Sequence, residues 1–137
     1  MITANVKSGS KSEIILPDGT KVQLNGATTI TYDVNSSKQR LVQLSGEAFF
    51  DVAKNPDCPF RVIANGLQIE VVGTSFNVNT YKKGVVEIHP LLTGQIKISG
   101  GSLPQEYILT PGEKATYSSI NNALKITQAD VHVETGW

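Results

Sequence analysis

The side chains best placed to do chemistry are two carboxylates, Glu47 and Asp51, in the run Gly46-Glu47-Ala48-Phe49-Phe50-Asp51-Val52. Two acids flanking a scissile bond are the machinery of glycoside hydrolysis. In a regular strand, residues four apart share a face but stand about 13 Å from one another. A glycosidase pair needs about 5–5.5 Å or about 6.5–9.5 Å. The spacing excludes that role, and a solvated or hydrogen-bonded outer face is the expectation for both acids. Phe49, between them, is expected either under a second layer or exposed as part of a contact surface.

The remaining candidates are weaker. His89 precedes Pro90 at a strand end and His132 lies in the C-terminal tail, neither in a nucleophile–base pattern. A zinc site requires three or four ligands with local pairing, and Cys58, His89 and His132 offer no pair at ligand spacing. Asp18-Gly19 and Asn65-Gly66 resemble phosphate loops, but no helix follows whose N-terminus would hold an anion. The sequence therefore assigns no catalytic, cofactor-binding or metal-ligating residue and names no partner-binding residue. A non-enzymatic chain without a cofactor is the expectation.

The elements that position these residues are strands. Asn65-Gly66 divides two alternating runs, Phe60 to Ala64 and Leu67 to Val71, and both turn residues tolerate positive φ. A two-residue type I′ turn sets Ala64 opposite Leu67, Val62 opposite Ile69 and Phe60 opposite Val71 on one face. Ile63 opposite Gln68 and the ion pair Arg61–Glu70 fall on the other. Gly73 then marks a bulge or bend before Phe76 and Val78 resume the alternation.

A second hairpin spans Glu13 to Asn25, turning at Pro17-Asp18 with Gly19 left-handed. Further strands are expected over Thr28 to Val34, Leu41 to Leu44, Ala48 to Val52, Val85 to Ile88, Gln95 to Ser99, Tyr107 to Leu109, Lys114 to Tyr117 and Leu124 to Thr127. Lys82-Lys83-Gly84 is an exposed turn, and Gly100 to Pro104 a flexible excursion. Pro90 marks an edge strand or a crossing point. Residues 1–11 lack periodicity and read as a polar lead. The spacing of turn signals gives an all-β class: a single antiparallel domain, sandwich-like or jelly-roll-like, with a stacked, solenoid-like arrangement as the alternative.

With 137 residues the chain is long enough for one domain with its own core. Its formal net charge is zero, so the basic excess of a nucleic-acid binder is missing. No transmembrane run or signal peptide is visible. A lone cysteine leaves the redox compartment open.

Six segments, taken in order, resemble the periplasmic domain of FecR-type anti-sigma regulators. They are Leu16 to Asn25 (LPDGTKVQLN), Leu44 to Val52 (LSGEAFFDV), Pro59-Phe60 with Val62, Val72 to Val78 (VGTSFNV), Leu92 to Ile98, and Leu109 to Ala115. Thr93 and His89-Pro90 depart from the family's pattern and bear on local strand pairing.

The resemblance implies a periplasmic module of a single-pass inner-membrane protein. It would relay the state of a TonB-dependent outer-membrane transporter, through that transporter's signalling domain, to an extracytoplasmic-function (ECF) sigma factor. It implies a juxtamembrane stretch over residues 1–11, the β domain over 12–130 and the start of a linker to a further domain over 131–137. The alternative is a β-sandwich that binds a glycan or peptide directly. Scarce aromatics argue against a sugar platform, Trp137 being the only tryptophan and terminal.

Overall fold

A computed structural model describes residues 2–35, 38–90, 94–101 and 103–128. Among the described residues there are fourteen strands and no helix. They are β1 (Ile2–Val6), β2 (Ser12–Ile15), β3 (Lys21–Leu24), β4 (Thr28–Asn35), β5 (Gln39–Ser45), β6 (Glu47–Asp51) and β7 (Phe60–Ala64). There follow β8 (Leu67–Val71), β9 (Ser75–Asn79), β10 (Val85–Pro90), β11 (Ile96–Gly100), β12 (Tyr107–Leu109), β13 (Glu113–Ser118) and β14 (Ala123–Gln128).

The strands form two seven-stranded sheets, ordered β1-β4-β5-β7-β8-β11-β12 and β2-β3-β6-β9-β10-β13-β14. Strand order within each sheet follows the chain. The polypeptide lays a hairpin in one sheet, crosses the core, and lays the next in the other, advancing from one end of the sandwich to the other. Strand β6 is the exception, standing alone between two crossings. Strands β5, β6 and β7 therefore make one full circuit of the core, and β5 and β7 emerge parallel, with Val42 beside Val62. That pair departs from the wholly antiparallel expectation, and the chain-ordered layout has the character of the stacked alternative within a sandwich.

The local chemistry explains the hairpins. Asn65 and Gly66 adopt φ of 48° and 80°, the pair of positive values that a type I′ turn demands. Strands β7 and β8 pair in the expected register, from Phe60 beside Val71 to Ala64 beside Leu67. Gly19 takes φ 91° at the end of the Pro17-Asp18 turn.

Alternate side chains of both sheets meet in one core cluster. At its centre Phe50 of β6 stacks on Phe76 of β9 (5.1 Å between centroids) and meets Phe60 across the layers (6.0 Å). Each such ring contributes about 1.5–3 kcal/mol on leaving water.

Two expectations change and two resolve to one of their alternatives. Residues 2–6 of the presumed polar lead form β1, paired with β4 along its whole length. Its Ile2, Ala4 and Val6 alternate, but the run is too short and too weakly apolar to stand out. Of the two readings of Pro90, the crossing point holds: β10 is interior, between β9 and β13, and ends where the chain passes to β11 in the other sheet. Pro90 is tolerated because β13 stops pairing at Ile88, two residues earlier, leaving Pro90 beside Phe76 alone. Gly73 is the bend of the two readings, at the crossing from β8 to β9; a Cβ there would lie 2.5 Å from the Lys54 Cα. The excursion after β11 is tied down, since Gly101 N–H donates to the Gly66 carbonyl (3.0 Å). Thr93, His132 and residues 131–137 lie outside the described residues.

Candidate functional site

Two polar clusters sit where the chain changes sheets. The first is built on Arg40 at the start of β5. Alternation with Val42 and Leu44 turns its side chain inward, and it is 2% exposed. A buried guanidinium needs partners for five N–H groups, and all five find them. Nε donates to the Cys58 carbonyl (2.6 Å). One terminal nitrogen donates to Asp18 Oδ2 (3.0 Å) and the Ala53 carbonyl (2.6 Å). The other donates to the Asn55 and Val72 carbonyls (3.2 and 3.1 Å). The group also lies 5.6 Å from the Phe60 ring centroid, within cation–π range.

Asp18 is equally engaged, accepting from the Thr20 N–H (3.0 Å) and hydroxyl (2.8 Å). Thr20 Oγ1 in turn accepts from the Ala53 N–H. One ion pair therefore fastens the β2–β3 turn, the 52–59 loop and the end of β8 together. Asp18 reads from sequence as a turn residue only, and Arg40 was not singled out. The signal was available: carrying the β5 alternation back from Val42 puts a charge on the inward face.

The second cluster surrounds Gly46, where β5 passes into β6. Gly46 has φ 123°, and a Cβ would lie 2.4 Å from Thr28 Oγ1 and 2.7 Å from Thr28 Cα. Thr28, 1% exposed, accepts from the Glu47 N–H (3.0 Å). Thr80 Oγ1 accepts from the Gly46 N–H (2.8 Å), and the Tyr81 hydroxyl donates to the Gly26 carbonyl.

Glu47 is spread between two amides, accepting from Asn25 Nδ2 on Oε1 (2.9 Å) and Asn77 Nδ2 on Oε2 (3.0 Å). Asp51, at the other end of β6, accepts from Ser75 Oγ (3.1 Å). The two acids share the outer face as expected, each with its own partners. Phe49 between them is half-buried on that face.

His89 stands in the same row, beside Asn77 across the β9–β10 pair, and is 7% exposed. Burial pulls its proton affinity below the ordinary 6.5, and Lys114 adds to this, against opposing pulls from Glu87 and Glu47. Lys114 is paired with Glu87 at 2.6 Å. Glu113 is also shifted down, because the Thr110 hydroxyl and N–H donate to its carboxylate.

Cys58 is buried with a free thiol, and Lys82 and Lys83 are exposed beside Gly84 at φ 75°. Among the described residues no group of three or more His, Cys, Asp and Glu is placed to hold a metal. Four surface depressions of about 160–280 Å³ are present, and none of these is lined by Glu47, Asp51 or His89. The structure thus uses its polar side chains to fasten loops to sheets. Its geometry supplies a rigid body with fixed surfaces.

A family model described as FecR protein matches residues 2–97. The chain belongs to the FecR family. Two crystal structures of a candidate anti-sigma factor from Parabacteroides distasonis are similar to it. One, at 1.65 Å resolution, has a TM-score of 0.90 at 29% identity and covers 100% of this chain and 64% of that one. The other, at 2.50 Å, has a TM-score of 0.89 at 30% identity and covers 99% and 63%. The chain therefore spans just under two thirds of the length of those relatives. No curated protein matches.

The anti-sigma description belongs to those two relatives, and the family match gives this chain a FecR domain. Within this FecR domain, Asp18, Gly46, Gly73 and Asn77, all from segments that carry the resemblance, are the residues that close the two polar clusters and the crossings.

Proposed function

We propose that this FecR domain is the periplasmic signalling module of an inner-membrane sensor, relaying the state of a TonB-dependent outer-membrane transporter to an ECF sigma factor. Family membership carries the reading, through the match over residues 2–97 and the anti-sigma relatives. The fold is consistent with it: a sandwich fastened at its crossings transmits a pull or a docking event without deforming. Among the described residues no helix is long and apolar enough to cross a membrane.

The test is deletion of residues 2–128 from the full-length protein, with sigma-dependent transcription read with and without the transporter's substrate. The reading expects the response to substrate to be lost. Unchanged induction refutes it.

A further inference from the structure

Among the described residues, the exposed large apolar side chains Val72, Tyr81 and Ile120 lie in loops, and four others lie at sheet edges. Ile2, Ile15, Ile108 and Ile126 lie on β1, β2, β12 and β14, the four edge strands. Edge strands present unpaired backbone N–H and C=O groups, and proteins blunt them with charge, proline, bulges or brevity. Strand β2 carries Glu13, β14 carries Lys125, and β12 has 3 residues. Strand β1, Ile2-Thr3-Ala4-Asn5-Val6, has none of these devices. It pairs with β4 on one side, and among the described residues no strand pairs with its other side.

Burial along β1 is incomplete in a telling way. Ile2, Ala4 and Val6 share the core-facing side, with Ala4 beside the fully buried Ile30. Val6 is 8% exposed, but Ile2 is 57% exposed. The core runs out to this edge and stops uncovered.

We propose that β1 is the contact through which two copies of this chain associate, edge to edge and antiparallel about a two-fold axis through Ala4. The strand reads apolar, polar, apolar, polar, apolar in both directions. An antiparallel copy therefore sets Ile2 beside Val6 of the partner subunit and Ala4 beside Ala4 of the partner subunit on the core face. Thr3 falls beside Asn5 of the partner subunit on the outer face. The two seven-stranded sheets join into one, and the core continues through the contact and covers Ile2.

Strand β2 ends the other sheet at the same end of the sandwich. Only residues 7–11 separate it from β1, and the β3–β4 loop sits against the connection, a Cβ on Gly26 lying 2.8 Å from the Gly9 nitrogen. A formal net charge of zero gives the two copies no long-range repulsion.

Sedimentation velocity of the chain from micromolar to about millimolar concentration tests this directly. The expected result is a monomer–dimer equilibrium. The double substitutions T3K/N5K and T3E/N5E put like charges opposite one another across the axis, and each raises the dissociation constant at least about tenfold. Both positions are exposed and face outward, costing only surface hydrogen bonds to Thr31 and Thr29. Mixing the lysine and glutamate variants in equal amounts restores association, a result that misfolded chains cannot give. A wild-type chain that stays monomeric throughout, variants that associate as the wild type does, or a mixture that remains monomeric overturns the proposal.

Discussion

At the scale of single residues, Arg40 outweighs every candidate for chemistry. Its guanidinium and the Asp18 carboxylate have side chains 0% and 1% exposed, where desolvation is severe unless every polar group is matched. Removing one partner strands the other, so Arg40→Met costs about 3–5 kcal/mol in urea unfolding. Arg40→Lys fails as well, because an ammonium has three donors where five acceptors wait. Adding Asp18→Asn to Arg40→Met recovers part of the loss, since the uncompensated charge goes with it; a double variant as unstable as the sum of the singles contradicts this.

His89 sets a pH dependence of definite sign. Its proton affinity is lowered on folding, chiefly by burial, so near its ordinary value the unfolded chain binds more protons and stability rises with pH. That contribution is complete above the ordinary 6.5 and is lost as pH falls below it. His89→Gln removes the dependence: the gap in unfolding free energy between about pH 7.5 and about pH 5 narrows relative to the wild type. An unchanged gap contradicts this placement of His89. Neither residue's surroundings were legible beforehand. The partners of Arg40 are mostly backbone carbonyls from two separate segments, the 52–59 loop and the end of β8, which leave no side-chain pattern. His89 reads as an ordinary strand-end histidine until β9 and β13 close around it.

At the scale of elements, legibility follows the turn chemistry. The β7–β8 hairpin was readable to the register because Asn65-Gly66 permits few alternatives, and the Arg61–Glu70 pair lies where that register puts it, at 3.1 Å. Strand β1 is hard to read because five mildly apolar and polar residues give little contrast, even with the Ser8-Gly9-Ser10 turn behind them. Pro90 left an edge strand or a crossing point open, and the crossing holds, because proline excludes only the hydrogen bond it cannot donate and β13 no longer needs one there. The outward position of Glu47 and Asp51 was readable from alternation, whereas their partners Asn25, Asn77 and Ser75 come from other strands and loops.

Gly46 illustrates a crossing that sequence disguises. Between two apolar runs it passes for a hairpin glycine, yet β5 and β6 belong to different sheets. Its positive φ and the Thr28 backbone leave no room for a side chain. Gly46→Ala is expected to lose at least about 2 kcal/mol. The loss persists in a Thr28→Ala background, because the Thr28 Cα and Cβ also block the new methyl. Full rescue by Thr28→Ala refutes that account.

At the scale of the molecule, chain order and spatial order coincide in both sheets, so distance from the ends becomes a predictor of local stability. Strands β6, β7 and β9 have neighbours on both sides and carry Phe50, Phe60 and Phe76, whereas β1, β2, β12 and β14 are paired on one side only. Opening an edge strand exposes little core; opening β6 or β7 breaks two ladders and the aromatic centre. Native-state amide exchange should therefore be slowest in β6, β7 and β9, close to the rate set by global unfolding, and should quicken towards both ends. The Arg40 cluster joins the β2–β3 turn near one end to the 52–59 loop and the end of β8 in the middle, so Arg40→Met should steepen the gradient and not merely shift it. Exchange in β2 and β3 would rise by more than in β11 and β12, which the cluster does not touch. Equal acceleration in every strand would mean that the sandwich opens only as a whole and that the crossings carry no local stability of their own.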